Sequence, residues 1–570
     1  MEQRGNGSGV VRGVMDKRTI IAFILIGLIF LLLPFYTQLI NPPSDVQQQP
    51  TITKDTVYTE APQDTEIVEQ IEPERTQPDE DHLVTAAADT LPEKIVQVDT
   101  DLYHAEFSSR GGALVSFKLK KYSREGDGEI DLAEFNGASS LKLKCGDDYL
   151  LSEITNYNTE SKNLELSAGN PEGEISFEWT AGAGEMIRKI YRFEYDQYSF
   201  DMDVIIEGAS DLGCGKDYYL TWDAPMPVTE LAAAGEDNSH MKGYAMFGGE
   251  ALDFDDADGA EVNREEKSGQ TEWTATKSKY FTSIIVPRSN PGSGFYVEIM
   301  ESPETFGTER IDRKLVVNGI RMPADNGGQV SDSFTVYVGP IDYFILRDYG
   351  VGLESIVDMG WSVLRPFSVA ILWLLIQLHT FIPNYGFALI IFSIIIKILL
   401  LPLSRKSMSS MTKMQEIQPR IKELQEKYKK DPKKLQSESM KMYKEHGVNP
   451  LGGCLPLLLQ MPLFFALYSV LRSTIELRGA DFMLWLTDLS IPDPYYVLPI
   501  IMGVTMFIQQ KMTMKDPKQK MMVYIMPVVL TFIFLRMPAG LVLYWTMFNI
   551  LSFIEQLYTK SRSQPSSATS

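Results

Sequence analysis

Apolar and polar positions divide the 570-residue chain into three textures. Near the amino terminus one uncharged run, Ile20 to about Tyr36, follows Lys17 and Arg18. Its length suits a signal peptide or a short membrane anchor. The flank Pro34-Phe35-Tyr36-Thr37-Gln38 and then Asn41-Pro42-Pro43 has no small-x-small cleavage pattern, which predicts an uncleaved signal anchor, with Met15 a candidate start. Residues 41–94 turn to Pro, Gln, Thr, Asp and Glu, too polar to offset chain entropy by burial, and predict a flexible linker. From 95 to 345 short stretches alternate with period two: Ala113–Leu119, Tyr198–Ile206 and Ser333–Val338. Gly111-Gly112, Asp127-Gly128 and Asn326-Gly327-Gly328 punctuate them as turns, and the pattern predicts an antiparallel β-sandwich.

After residue 350 the texture becomes helical and apolar. Long runs at Tyr385–Leu403, Leu451–Leu471, Tyr495–Gln510, Met522–Leu535 and Ala539–Leu557 join the anchor to predict six membrane spans. Charge orients them. The loop Ser404–Pro450 holds 12 Lys and Arg and Lys511–Lys520 holds 4, so both belong in the cytoplasm under the positive-inside rule. A seventh span at Phe367–Ile382 would put a basic loop or the acidic domain on the wrong side. That segment, with Trp361 and Trp373 nearby, is expected in the outer interface as part of an amphipathic stretch over 346–384. The remaining layout is a cytoplasmic terminus plus anchor at 1–40, a helical core at 385–558 and a cytoplasmic tail at 559–570.

The net charge of −22 divides into about +2 for residues 1–40, +9 for 351–570 and therefore −33 for 41–350. Such a split describes an acidic solvated domain joined to a basic-flanked membrane domain, and it excludes direct nucleic-acid recognition by the middle region. The fold class is thus an α+β multidomain membrane protein, a β-sandwich domain followed by a polytopic helical one. The 3 cysteines, Cys145, Cys214 and Cys454, show no metal-ligand spacing, so no metal or cofactor is expected. A Cys145–Cys214 bridge is open in an oxidising compartment. No GxSxG, HExxH, P-loop or strand-linked GxGxxG occurs, and the chain reads as a non-enzyme without catalytic residues.

Lys397 is the most informative position, because Ile390–Leu403 is otherwise apolar apart from Ser393. A lysine at depth costs roughly 2.5–3.5 kcal/mol on insertion scales. Snorkelling is one reading, since Ser404 lies ~10 Å away at ~1.5 Å per residue. The other is an interior polar site: Ser393 shares the helix face, Gln460 sits in the next span, and Tyr544, Trp545, Thr546 and Asn549 lie in the last. The loop 404–450 predicts a helical hairpin. Met411 and then Met414, Ile417, Ile421, Leu424 and Tyr428 form its narrow apolar seam, Pro419 is expected to bend the first arm, Asp431-Pro432 starts the second and Gly447 ends it. Methionines there and at Met502–Met526 suit contact with varied apolar segments or ordinary packing.

The stretch Asn449-Pro450-Leu451-Gly452-Gly453-Cys454-Leu455-Pro456-Leu457-Leu458-Leu459-Gln460-Met461-Pro462 closely resembles the YidC/Oxa/Alb insertase family. Asp493-Pro494-Tyr495-Tyr496-Val497-Leu498-Pro499 and Pro538-Ala539-Gly540-Leu541-Val542-Leu543-Tyr544-Trp545 extend the likeness over about 345–558. The anchor plus β-rich domain is similar in layout to the Gram-negative branch. The resemblance implies insertion of newly made proteins into the inner membrane, alone or beside the Sec translocon and ribosome, through a hydrophilic groove. Its positive residue would be Lys397 where most bacterial relatives carry arginine, with Ser393, Gln460 and Tyr544 lining it. It also implies a periplasmic super-sandwich akin to sugar-mutarotase domains in fold alone. The competing reading is a secondary transporter with an intramembrane charge, although no internal repeat supports it.

Overall fold

The computed structural model describes residues 92–563, apart from short segments at 125–127, 134–138, 147, 150–154, 181–183, 256–261, 308, 325–328, 448–454 and 514–519. The expected anchor and nearly all of the linker lie outside the described residues.

Alternation becomes strand wherever one face can be buried. In Ser199–Glu207, Phe200, Met202, Val204 and Ile206 are buried while the intervening side chains are partly or fully exposed. That strand pairs antiparallel with Met186–Glu194 on one edge and Gln329–Pro340 on the other. The described strands form a five-stranded and a 13-stranded sheet. Only the contact of Ile95–Asp99 with Leu164–Glu165 is parallel among the paired strands. The strands at the centre of the large sheet are longer than the turn spacing predicts. Gly292–Phe306 and Glu309–Pro323 each run 15 residues as one hairpin, in register from Gly294↔Arg321 to Phe306↔Glu309.

The two sheets meet through aromatic rings. Phe107 of the small sheet lies 4.7 Å from Tyr191 and 5.6 Å from Phe193 of the large one, centroid to centroid. Beneath them Lys189 is fully buried, and its ammonium donates to the carbonyls of Gly111 and Leu141 at 2.8 Å each. Gly112 has φ +53°, and a Cβ there would come 2.9 Å from Phe177 Cβ. Both the turn and the close approach require glycine. Cys145 and Cys214 are disulfide-bonded, with Cα atoms 4.7 Å apart. The bridge closes a covalent loop across the acidic domain, as oxidising surroundings allow.

Among the described residues a short helix at Tyr343–Asp348 and seven longer ones follow the strands: α1 (Arg365–Phe381), α2 (Tyr385–Lys427), α3 (Pro432–Glu445), α4 (Leu455–Ser473), α5 (Val497–Thr513), α6 (Lys520–Phe534) and α7 (Ala539–Ser563). Among the described residues one segment, Tyr385–Met414, is by itself long and apolar enough to cross a membrane. Three expected boundaries shift. The first hairpin arm is not a separate helix: α2 continues through Pro402 and Pro419 for 43 residues. Within 346–384 the long helix is α1 alone, which packs on α4 and α2 while Phe367, Trp373 and Phe381 stay exposed. The tail begins inside α7, because no Gly or Pro interrupts Leu557 to Ser563.

Polarity in this region runs opposite to that of a soluble bundle. Ile398, Leu399, Val528 and Phe532 are 64–75% exposed, whereas Ser393, Lys397, Gln460, Thr546 and Asn549 are buried. Apolar side chains face outward because lipid accepts them, and polar ones turn inward to find partners. Close approach is local. A Cβ on Gly503 of α5 would fall 2.1 Å from Thr531 Oγ1 of α6, so a small residue sets that contact. Asp493, at the head of the Asp493-Pro494 motif, caps α5: it accepts from Leu498 N at 2.7 Å, Tyr495 N at 3.0 Å and Trp485 Nε1 at 3.0 Å.

The β-domain is fastened to the helical region. Trp273 Nε1 donates to Val351 O and Lys277 Nζ to Ile356 O, each at 3.0 Å, and burial pushes the Lys277 ammonium down to about 8. On the loop after α4, Arg478 bonds Glu230 and Ser123 O, while Arg472 and Lys279 share the Glu236 carboxylate.

Candidate functional site

The site is built where α2 meets α7. Lys397 projects from the first third of α2, and its ammonium donates to Ser552 Oγ at 2.7 Å. It lies 2.8 Å from Glu555 Oε2, with the two side chains 9% and 8% exposed. The Phe548 ring covers another side, with its centroid 4.6 Å from Nζ. Phe548, Ser552 and Glu555 follow one another at four and three residues, so a single face of α7 presents all three. Ser404, two turns beyond Lys397, donates to the same Glu555 oxygen at 2.9 Å.

Lys397 therefore does not snorkel: its charge is directed across the helix interface to an opposite charge. Taking two ions out of water is costly and is offset only by good geometry and added hydrogen bonds. The serine on each side supplies those bonds.

The other anticipated residues are interior, but they do not all converge on the lysine. Ser393 is fully buried and spends its hydroxyl on Leu389 O at 2.7 Å, a bond within its own helix. Gln460 Nε2 donates to Tyr544 OH at 3.4 Å, which links α4 to α7. Thr546 bonds back to Val542 O at 2.7 Å. The Trp545 ring packs edge-on against Phe464, 5.2 Å between centroids. Trp545 Nε1, Asn549 Nδ2 and Glu555 Oε1 are buried with no hydrogen-bond partner among the described residues. Along α7 these atoms leave two donors and one acceptor unspent in an apolar setting.

The structure brings in three residues that the sequence reading missed: Ser404, Ser552 and Glu555. One signal was available. Glu555 is the single acidic residue in the run Ala539–Leu557, and an acid there calls for an interior partner of opposite charge.

In the hairpin, Ile417 and Ile421 are buried, and Met414, Leu424 and Tyr428 are half-buried, where α2 touches α3. Two of the anticipated contact residues thus serve the hairpin's own packing, because a narrow apolar stripe is covered by its partner arm. The Met411 side chain lies outside the described residues. Asp431 accepts from Lys434 N at 3.0 Å and Gly447 takes φ +62°, so both ends of α3 form as their residue types dictate. Among the described residues, no three His, Cys, Asp or Glu side chains converge to hold a metal.

What this geometry can do is present buried charge and hydrogen-bonding groups in the interior between α2 and α7. Comparison with known proteins agrees in class. Residues 95–374 match the YidC periplasmic domain family, and residues 377–566 match the 60Kd inner membrane protein family. The membrane protein insertase YidC of Pelodictyon phaeoclathratiforme is 36% identical, covering 95% of this chain and 94% of its own. That of Chlorobaculum parvum is 37% identical over 83% of each chain. A crystal structure of an active YidC insertase with its first transmembrane domain resolved is 20% identical and covers 82% of this chain and 93% of its own, at a TM-score of 0.36. With this identity along nearly its whole length, the chain belongs to the YidC family of membrane protein insertases.

Proposed function

We propose that insertion proceeds through the polar interior between α2, α4 and α7, with Lys397 as its charged centre. The protein is a non-enzymatic insertase of the inner membrane with a periplasmic β-domain, and the transporter reading falls with that assignment. The observation that carries the proposal is the buried set Lys397, Gln460, Tyr544 and Asn549 inside helices whose outward faces are apolar. Keeping such groups in lipid is costly, and intramembrane polar residues mark pathways.

In this reading nascent membrane proteins approach from the cytoplasm and reach the hairpin first. Met411, Met414, Leu424 and Tyr428 offer adaptable apolar contact, with Ile417 and Ile421 behind them. Polar segments of the client then enter beside Lys397 while its apolar helix passes into lipid. Six spans with both termini in the cytoplasm satisfy the loop charges, and the Sec translocon and ribosome are the expected partners on either side of that step.

The test is photocrosslinking from Asn549, with lipid-facing Leu399 as control, during synthesis of a small single-span client. Client adducts enriched at Asn549 are expected; equal adducts at both positions would refute the site. Reporter fusions in Ser404–Pro450 check the topology, since an exported-type signal there is incompatible with six spans.

A further inference from the structure

We infer that Glu555 is a specificity-determining residue: it is the resident counter-ion of Lys397, and an acidic group of a client gains the lysine by displacing the Glu555 carboxylate. The inference rests on the reading of the polar interior as the client site.

The geometry carries it in three steps. First, the interior is charge-compensated. Lys397 Nζ sits 2.8 Å from Glu555 Oε2, with both side chains more than nine-tenths buried, so the lysine's charge is compensated by a carboxylate at rest. A client carboxylate must compete with a carboxylate already in place, and like charges at that range repel.

Second, the pair is built to open. Ser552 donates nothing to the acid but accepts from Lys397 at 2.7 Å, whereas Ser404 donates to Glu555 at 2.9 Å. When the ions separate, each keeps a neutral partner. A buried charge left bare would be prohibitive, and these hydroxyls lower that cost.

Third, the carboxylate has somewhere to go and is held by one oxygen only. Glu555 Oε1 is buried without a partner among the described residues, and the next turn of α7 is exposed at Leu557 and Tyr558. Rotation about the side-chain bonds carries the acid toward that end. Lysine, a compact charge with three donors, accepts a replacement carboxylate from many directions, unlike the fixed fork of arginine.

The experiment uses the full-length protein in a strain depleted of its own insertase. The probe is a small single-span client whose translocated tail carries Asp or Asn at one position, and the readout is the Asp-to-Asn insertion ratio at equal expression. In Glu555→Gln the ratio rises roughly fivefold, the factor that corresponds to about 1 kcal/mol of relieved competition. In the uncharged double variant Lys397→Gln/Glu555→Gln the preference disappears. If Glu555→Gln leaves the ratio at the parental value while the double variant changes it, the lysine meets the client but the glutamate does not compete, and this inference alone is overturned. If the ratio is the same in every variant, the polar interior is not the client site, and both readings fall. Should Glu555→Gln not accumulate, Glu555→Asp withdraws the carboxylate by one methylene. Its ratio is then expected between those of parent and amide, and an unchanged value overturns the inference equally.

Discussion

Arg478 Nε donates to Glu230 Oε1 over 2.6 Å, with each side chain only 10% exposed, and so joins the loop after α4 to the β-domain. The same guanidinium reaches Ser123 O at 2.9 Å and lies over the Phe281 ring at 5.4 Å. Removing one partner of such a pair strands the other. Glu230→Gln is therefore expected to lower the melting temperature of the purified protein, with a loss on the order of 3 kcal/mol at the upper end. Deletion of residues 95–330 removes acid and platform together. It should leave insertion of small clients intact while lowering thermal stability. A stable, correctly inserted truncation that fails to support growth of a depleted strain would show instead that the β-domain acts on clients.

Lys397→Leu tests charge at the centre of the site, but the structure changes how it must be read. The single substitution leaves Glu555 buried without its ion, at a cost of roughly 3–5 kcal/mol, so loss of function there conflates folding with mechanism. Lys397→Leu/Glu555→Leu removes both charges and should accumulate normally. It is expected to insert clients with uncharged tails and to fail with acidic ones, whereas Lys397→Arg keeps both activities. Insertion of an acidic-tailed client by the double leucine variant at the parental level would reduce the pair to packing.

For the hairpin, replacing 411–445 by a short linker should stop client insertion while the spans remain folded, since Ile417 and Ile421 pack within the hairpin itself. Limited proteolysis checks the fold, and protease protection of a small client checks insertion. Unchanged insertion would remove the hairpin from the route.

Acidity should act in two opposing ways where the loop after α4 lies near the β-domain. Burial, with Asp342 nearby, pushes the Glu476 carboxyl up to about 8. The folded protein therefore holds this proton more tightly than the unfolded chain does, and the group's contribution falls as pH rises from about 4.5 through 8. Glu476→Gln should flatten that decline and melt higher than the parent above pH 8, as a thermal series across pH would record. Burial also acts to raise Glu236, but Lys279 and Arg472 more than offset it and hold that carboxyl below its ordinary value. Its contribution is present at neutral pH and is lost on acidification below the usual carboxylate range. Glu236→Gln should lower the melting temperature at neutral pH, where that contribution is present, and flatten its decline on acidification.

Much of this architecture is legible in the residues because local patterns agree with it. Phe200, Met202, Val204 and Ile206 announce a one-sided strand, and Asp431-Pro432 with Gly447 announces α3. Lys397 also announces itself, since few residues are so out of place in an apolar run. Its partner was harder to see. Glu555 lies 158 positions away, near the end of an apolar run where an acid passes for a boundary, and the α2–α7 contact makes it interior. The long central hairpin was missed for a related reason. Polar faces on Val262–Lys277 and Glu309–Pro323 blur the alternation, and register is set by neighbours rather than by the strand itself. The fusion of span and hairpin arm in α2 escaped because Pro402 suggests an end, yet the helix runs through it.

That continuity has a mechanical consequence. Lys397 and Ile421 sit on one rod, roughly 36 Å apart along its axis at ~1.5 Å per residue. A torque applied to the hairpin arm cannot dissipate in a loop; it turns or tilts the segment that carries the lysine. Compliance is confined to the two places where the backbone ladder lacks a donor, Pro402 and Pro419, and the first of these lies one and a half turns beyond the ion pair. The arm is thus a lever with one of its two soft joints beside Lys397.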